Sequence, residues 1–555
     1  MTRVVIAGGT VVDGTGAPGR PADVAVEDDR IVEVGPSLSG DRVLDAEGCV
    51  VAPGFVDHHT HDDAQVFWDP GLTPSCFHGV TTVVAGNCGF SIAPTRPSDQ
   101  DLLRHTMEKV EDMDPACLEA GIPWDDFETF PEYLDAVRRR GVGLNFSAYV
   151  GHTPLRVFVM GAEAADRAAT PDEVAQMVAV VEEAMEAGAA GFATSRAITH
   201  LGADGRPIPS RIADSEEIVA LGQAVGRSGR GVVGVNGGKG FSFRDCYRYQ
   251  PEIGAPITFT AVLTNPEGAH LKAADIHRTG RDAGADVWPQ VSCRPLTFSV
   301  NLIEPFNLNT NPVFAELMSG SPDERRQAYA AAAWRDRVRD AWSRGEGLAP
   351  RWDTFEIMES AAHVELIGRR IGELAAERGA DPLDVLLDLV LDEPSLATFR
   401  FKAILANDDE EGIAMLLAEP GCTLGLSDAG AHVGQLCDAP LPTDLLGNWV
   451  REREVLGLEA AVHKLTLEPA RLFGFADRGE VRPGAFADLV VFDPATVGPG
   501  PLRRVRDFPA DTERLTADEP TGMRHLLVNG VVSRVDGESV DLDELPGRVI
   551  APAPR

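Results

Sequence analysis

Short apolar runs broken by turn residues open the chain. Segments 3–7, 10–12, 23–27, 30–34, 42–45 and 49–52 are apolar or alternating, and Gly8-Gly9, Asp13-Gly14, Asp28-Asp29 and Glu47-Gly48 punctuate them. The far end has the same texture at 488–492, 526–528 and 531–535, the last two flanking Asn529-Gly530. Neither set is large enough to bury a core alone. The two ends are therefore predicted to pair as one small β-sandwich domain, residues 1–53 with 480–555, enclosing 54–479 as an insertion.

Inside that insertion the pattern switches to strands alternating with helices. Buried-type strands are expected at 55–61, 80–85, 143–150, 190–194, 231–235, 256–263, 285–291 and 423–426. Thr170-Pro171-Asp172-Glu173 offers an N-cap, a proline at the first helical position and a capping-box glutamate. The apolar face that follows is Val174, Met177, Val178, Val181 and Met185, and Gly188 ends it. Further helices are expected at 215–226, 408–418 and 458–472. Eight strand sites alternating with helices predict an α/β fold, a (β/α)8 TIM-like barrel, whose chemistry gathers at the carboxyl ends of its strands. Two long stretches near 95–130 and 298–355 break the alternation and read as insertions, serving as lids, specificity elements or packing and oligomer contacts. Residues 546–555 read as a loose tail.

Charge and cysteine usage narrow the setting. The 555 residues carry 86 acidic against 50 basic side chains, a net charge of −36, which repels nucleic acid and anionic membranes. An anionic substrate therefore needs a local basic pocket. The eight cysteines stand singly with no Cys-x-x-Cys pair, and neither a signal-peptide apolar region nor an 18-residue apolar run occurs. The expectation is a cytoplasmic, reducing setting in which a free thiol can act as ligand or nucleophile. A homo-oligomer is compatible with the sequence, which does not specify one.

Candidate chemistry sits where the barrel places it. A strand running into His59-Thr60-His61 puts both imidazoles on one face, a few Å apart, a pair suited to zinc or another borderline divalent metal. His58 points the other way and reads as structural. Cys88 follows the second strand and Asp428 the eighth, so both fall at the same rim.

The motifs Ala52-Pro53-Gly54-Phe55-Val56-Asp57, His59-Thr60-His61-Asp62-Asp63, Gly79-Val80-Thr81-Thr82-Val83-Val84-Ala85-Gly86-Asn87-Cys88-Gly89-Phe90-Ser91, Ser427-Asp428-Ala429-Gly430-Ala431-His432 and Gly484-Ala485-Phe486-Ala487-Asp488 together resemble the amidohydrolase superfamily and, within it, the D-aminoacylase (N-acyl-D-amino-acid deacylase) family. The resemblance implies a zinc site on His59, His61, Cys88 and Asp428, with Asp428 also passing a proton from the metal-activated water to the departing nitrogen. It also implies two further metal histidines after strands five and six. Here Asn236 stands at the first position, and the sixth segment, Thr258-Phe259-Thr260-Ala261-Val262-Leu263-Thr264, holds no histidine. Strand four has no lysine to carbamylate, so one metal per chain is expected. His270 is a further candidate ligand if strand six is displaced.

His152, Arg196, His200, Lys239 and Arg294 follow strands three, four, four, five and seven and are candidate substrate-binding residues, the cations for a substrate carboxylate and His200 also as an electrophile. His432 reads as orienting its loop. The expected activity is hydrolysis of a C–N amide bond in a small molecule. The alternatives are a cyclic amide or other carboxamide hydrolase on the same mononuclear centre, and a catalytically silent scaffold.

Overall fold

The computed structural model describes residues 2–202, 205–303 and 305–555. Its chain forms two compact units. The larger holds both termini and the barrel; the smaller is Pro295–Asp408 with Gly434–Leu436.

The barrel is one eight-stranded parallel sheet whose spatial order follows the chain. Its strands are β1 Phe55–Asp57, β2 Val80–Ala85, β3 Asn145–Gly151, β4 Gly191–Ser195, β5 Val232–Asn236, β6 Ile257–Thr260, β7 Val287–Val291 and β8 Thr423–Leu424. Every residue of β2, β3 and β4 is buried, as expected of strands covered on both faces. Gly191 permits β4 and β5 to approach: its φ is +145°, and a Cβ there would lie 1.8 Å from the Val232 carbonyl oxygen. The ring closes past the strand ends, where Thr60 bridges Ala429 in parallel and the His61 N–H donates to the Ala429 carbonyl at 2.6 Å.

Among the helices, α1 (Gln100–Glu111) comes from the first expected insertion, and α2 (Pro171–Ala187) is the helix read from the capping box. Thr170 and Glu173 cap each other as expected, and Gly188 ends α2 at φ 107°. The helix expected over 458–472 is two, α3 (Leu458–Leu465) and α4 (Leu467–Phe473). Pro469 has no N–H to give the Leu465 carbonyl, and the Thr466 hydroxyl instead bonds the Val462 carbonyl at 2.6 Å.

The chain ends interleave in a seven-stranded sheet in which Leu489–Phe492 lies between Val50–Pro53 and Met523–Val528. A four-stranded sheet from the N-terminal region accompanies it, built of Arg30–Gly35, Asp23–Glu27, Arg3–Ala7 and Arg42–Asp45. Buried Asp488 ties the terminal sheet to the barrel, accepting from Asn145 of β3 at 3.2 Å and the Asn529 N–H at 2.7 Å while pairing with Arg478. The expectation of a loose tail at 546–555 is overturned. Phe146 donates to the Arg548 carbonyl and accepts from the Ile550 N–H, both at 2.8 Å, and the Arg555 N–H reaches the Gly229 carbonyl at 2.9 Å. β4 pairs with β3 only from Tyr149 onward, so the tail supplies the partners that Phe146 would otherwise lack.

The insertion expected at 298–355 is part of the longer second unit. That unit has its own core around Phe314, Tyr329, Trp334, Phe355, Phe399 and Phe401. Its antiparallel sheet sets Arg400–Ala406 between Leu296–Val300 and Glu356–Glu359. Among the described residues, no helix is long and apolar enough to cross a membrane.

Candidate metal centre

β1 ends at Asp57 rather than at His61, because the next residues bond outward to the neighbouring loops. The Thr60 N–H donates to the Val84 carbonyl at 3.1 Å. The Asn87 amide donates to the carbonyls of His58, Thr60 and Val84, pinning the first rim loop to the second. His59 and His61 still share a side, with ring centroids 5.6 Å apart. His58 turns away onto Phe473 and the Thr423 hydroxyl, and burial, then the charge of His59, pushes its pKa down to about 4. Cys88 and Asp428 both sit in the left-handed backbone region, at φ 55° and 46°, which costs a non-glycine residue on the order of 1–3 kcal/mol and persists where the surroundings enforce it.

The four side chains converge. The ligand atoms of His59, His61 and Cys88 all lie within 4.8 Å of one another. Asp428 Oδ1 is 3.0 Å from His59 Nε2 and 3.8 Å from His61 Nε2, and Cys88 Sγ is 3.8 Å from His59 Nε2. The far nitrogen of each ring is held from behind. His59 Nδ1 stands 2.6 Å from Gln290 Oε1, which can only accept, so Nδ1 carries a proton and Nε2 is the nitrogen turned to the centre. His61 Nδ1 stands 3.1 Å from the buried Glu111 carboxylate, an ion pair on the far side of the ring that leaves Nε2 towards the centre.

The local field favours the anionic forms of the oxygen and sulfur donors. Burial alone would raise the Cys88 thiol, but His59 and His61 bring it below the ordinary value. Burial opposes ionisation of Asp428 too, yet the His59 hydrogen bond and nearby histidine charges hold it down at about 2. Glu111 is lowered against its burial by His61. Two imidazole nitrogens, a thiolate and a carboxylate in a buried space form a donor set that fits a borderline divalent cation such as zinc.

The other expected site residues divide. His152 has both ring nitrogens engaged: it is buried, with Nδ1 2.8 Å from the Thr194 hydroxyl and Nε2 2.8 Å from Glu217, which also pairs with Arg156. Arg196 spends its guanidinium on the carbonyls of Ser210, Ala213 and Lys239. Arg294 is ion-paired to Asp438 at 2.6 Å and Asp444 at 3.3 Å. Lys239 is exposed just past β5. His200 is buried against Phe90, whose cluster includes Cys88. His270 lies in the helix Ala269–Asp282 and faces Asp409 at 3.8 Å, outside the cluster. Asn236 donates to Cys88 Sγ at 3.4 Å, and the Thr260 hydroxyl is 3.4 Å from His59 Nδ1.

Three supporting residues escaped the sequence reading. Glu111 ends α1 within an insertion, Gln290 is an interior position of β7, and Asn87 adjoins the cysteine. Gln290, a polar residue inside an otherwise apolar strand, carried the one usable signal.

A closed parallel barrel with two buried histidines and half-buried Cys88 and Asp428 gathered at its carboxyl rim fits the metal-dependent hydrolases of the barrel class. Residues 42–534 match the amidohydrolase family, and the chain belongs to it. It is 32% identical to the D-aminoacylase of Alcaligenes xylosoxydans xylosoxydans, over 99% of this chain and 97% of that one. A solved D-aminoacylase whose binuclear metal center is described by one-metal activation and second-metal attenuation is similar at a TM-score of 0.67, with 29% identity and 99% of each chain covered. The N-acyl-D-glutamate deacylase from Bordetella bronchiseptica, complexed with zinc and a phosphonate inhibitor that mimics the tetrahedral intermediate, is similar at 0.66, with 27% identity and 99% of each chain covered.

Proposed function

We propose that this chain hydrolyses the amide bond of a small N-acyl-D-amino acid, using one zinc ion held by His59, His61, Cys88 and Asp428. The observation that carries the reading is the meeting of those four side chains, two buried and two half-buried, whose donor atoms lie a few Å apart. The activities for which the relatives are named support the substrate class.

When bound, zinc polarises the scissile carbonyl and lowers the pKa of a water to about 7. Asp428, held anionic, takes the proton of the attacking water and delivers it to the nitrogen as the C–N bond breaks. Gln290 and Glu111 hold the two histidines with Nε2 turned to the centre. The Asn236 amide donates to Cys88 and favours its thiolate. Lys239, the exposed cation past β5, is assigned to the substrate carboxylate, since Arg294 is already neutralised by two aspartates. Asn236 and Thr260, an amide and a hydroxyl beside Cys88 and His59 where a second cation would need imidazoles, support a single-metal count. A cytoplasmic setting accords with eight unpaired cysteines.

Elemental analysis of protein purified without chelator, combined with a turnover screen of N-acyl D- and L-amino acids and cyclic amides, tests this. About one zinc per chain and preference for the D-series are expected. Two metals per chain would overturn the count, and turnover of cyclic amides alone would overturn the substrate.

A further inference from the structure

His200 is a buried histidine at the site that the acid–base and ligand assignments leave unused. It lies five residues past Ser195, the last residue of β4, on a loop held by Arg211 through the carbonyls of Ile198 and His200. Its ring stands edge-on to Phe90, with centroids 5.1 Å apart, and Phe90 packs with Cys88. Through Phe90 it neighbours Cys88, and with Nδ1 tied to Ser195 of β4 its Nε2 is the nitrogen left for a substrate. Burial drives its pKa down to about 3, against the pull of Glu111, and the ring is neutral at ordinary pH.

The hydrogen bonds fix where its proton sits. The Ala197 N–H donates to Ser195 Oγ at 3.2 Å, and Ser195 Oγ lies 2.7 Å from His200 Nδ1. Among the described residues Nδ1 is the one acceptor within reach of the Ser195 hydroxyl proton, so the hydroxyl donates to Nδ1 and the imidazole proton is on Nε2. A neutral ring with a fixed Nε2–H is a preorganised donor for a developing oxyanion.

We propose that His200 is a catalytic residue that donates its Nε2–H to the carbonyl oxygen of the scissile amide. This rests on the amide-hydrolase reading. As the water oxygen bonds to carbon, the C=O π pair moves onto that oxygen and the hydrogen bond strengthens. When the C–N bond breaks, the pair returns to re-form C=O and the nitrogen leaves with the proton carried by Asp428. His200 keeps its own proton throughout.

The test compares wild type with His200→Ala, His200→Gln and Ser195→Ala in the zinc-loaded enzyme. The readouts are kcat and KM on an N-acyl-D-amino acid, affinity for the corresponding phosphonate by calorimetry, metal content and Tm. In His200→Ala, kcat is expected to fall by roughly 10²–10³-fold with KM little changed. Phosphonate affinity should fall in parallel while zinc content and Tm hold. His200→Gln, which retains an N–H donor, should recover part of the loss, and Ser195→Ala, which frees the tautomer, should lose less than His200→Ala. A His200→Ala kcat within about twofold of wild type, or a loss that tracks missing zinc, would overturn the role. A wild type that neither hydrolyses nor binds these compounds would overturn the functional reading itself, a result separable from an active variant.

Discussion

Glu111 reaches His61 from the last residue of a helix that belongs to no βα unit, while Gln290 reaches His59 from inside the barrel wall. Both act to the same end: a partner that holds Nδ1 on the far side of the ring leaves Nε2 as the nitrogen turned to the centre. Glu111→Gln keeps the shape and removes the charge. Zinc affinity, measured by competition with a chromophoric chelator, should weaken by about 10–100-fold; unchanged affinity would leave Glu111 only a packing role. Asp428→Asn keeps the side chain's size but cannot take a proton. Turnover should be abolished with the circular dichroism spectrum and Tm intact, and normal turnover would remove Asp428 from the mechanism. His59, His61, Cys88 and Asp428 were legible because each sits in a run of motif residues at a strand end. Glu111 was not, because one of 86 acidic residues in a long irregular stretch carries no mark of where its helix will deliver it.

At the scale of elements, local pairs were readable and outward-bonded segments were not. The α2 cap could be read because Thr170 and Glu173 are three residues apart. The end of β1 could not, since it depends on carbonyls at Val84 and Ala429 that come close only in the closed barrel. The short turn Ser75–His78 between β1 and β2 carries a related device. Its buried His78 has Nδ1 2.7 Å from the Thr443 hydroxyl and Nε2 2.7 Å from the Ala517 carbonyl. Burial, reinforced by Arg294 and Arg534, lowers its pKa from 6.5 to about 3 despite the carbonyl contact. The folded state thus disfavours the proton that the unfolded chain binds. The stabilisation is fully present above pH 6.5 and is lost as pH falls from there toward about 3. Between pH 6.5 and 5 the loss from this residue is about 2 kcal/mol. Thermal denaturation across that interval should show a steeper fall in Tm for wild type than for His78→Gln; parallel curves would refute it.

For the whole molecule, the ends of the chain are structural parts of the barrel's surroundings rather than appendages. Leu489–Phe492 completes a sheet begun by Val50–Pro53, and residues 546–555 run along β3 and on to Gly229. Deleting 546–555 strips Phe146 of its hydrogen-bond partners and Arg555 of its contacts with the carbonyls of Gly231 and Leu472. Tm should fall by roughly 5 °C, while zinc stoichiometry, measured on the folded protein, stays as in the full chain. An unchanged Tm would return the tail to the loose segment that its composition implied.

The sequence by itself determined the alternation of strands and helices, the barrel that this alternation builds, and four ligand-type residues at the carboxyl rim. These follow from periodicity and from side chains that are close along the chain or repeat at matching strand ends. Only the tertiary structure decided which nitrogen each histidine presents, that His152 and Arg294 are consumed by internal partners, and that the tail is paired. Each of those outcomes depends on groups tens to hundreds of residues apart, and their meeting is fixed by packing and by the need of buried polar atoms for partners rather than by any local pattern.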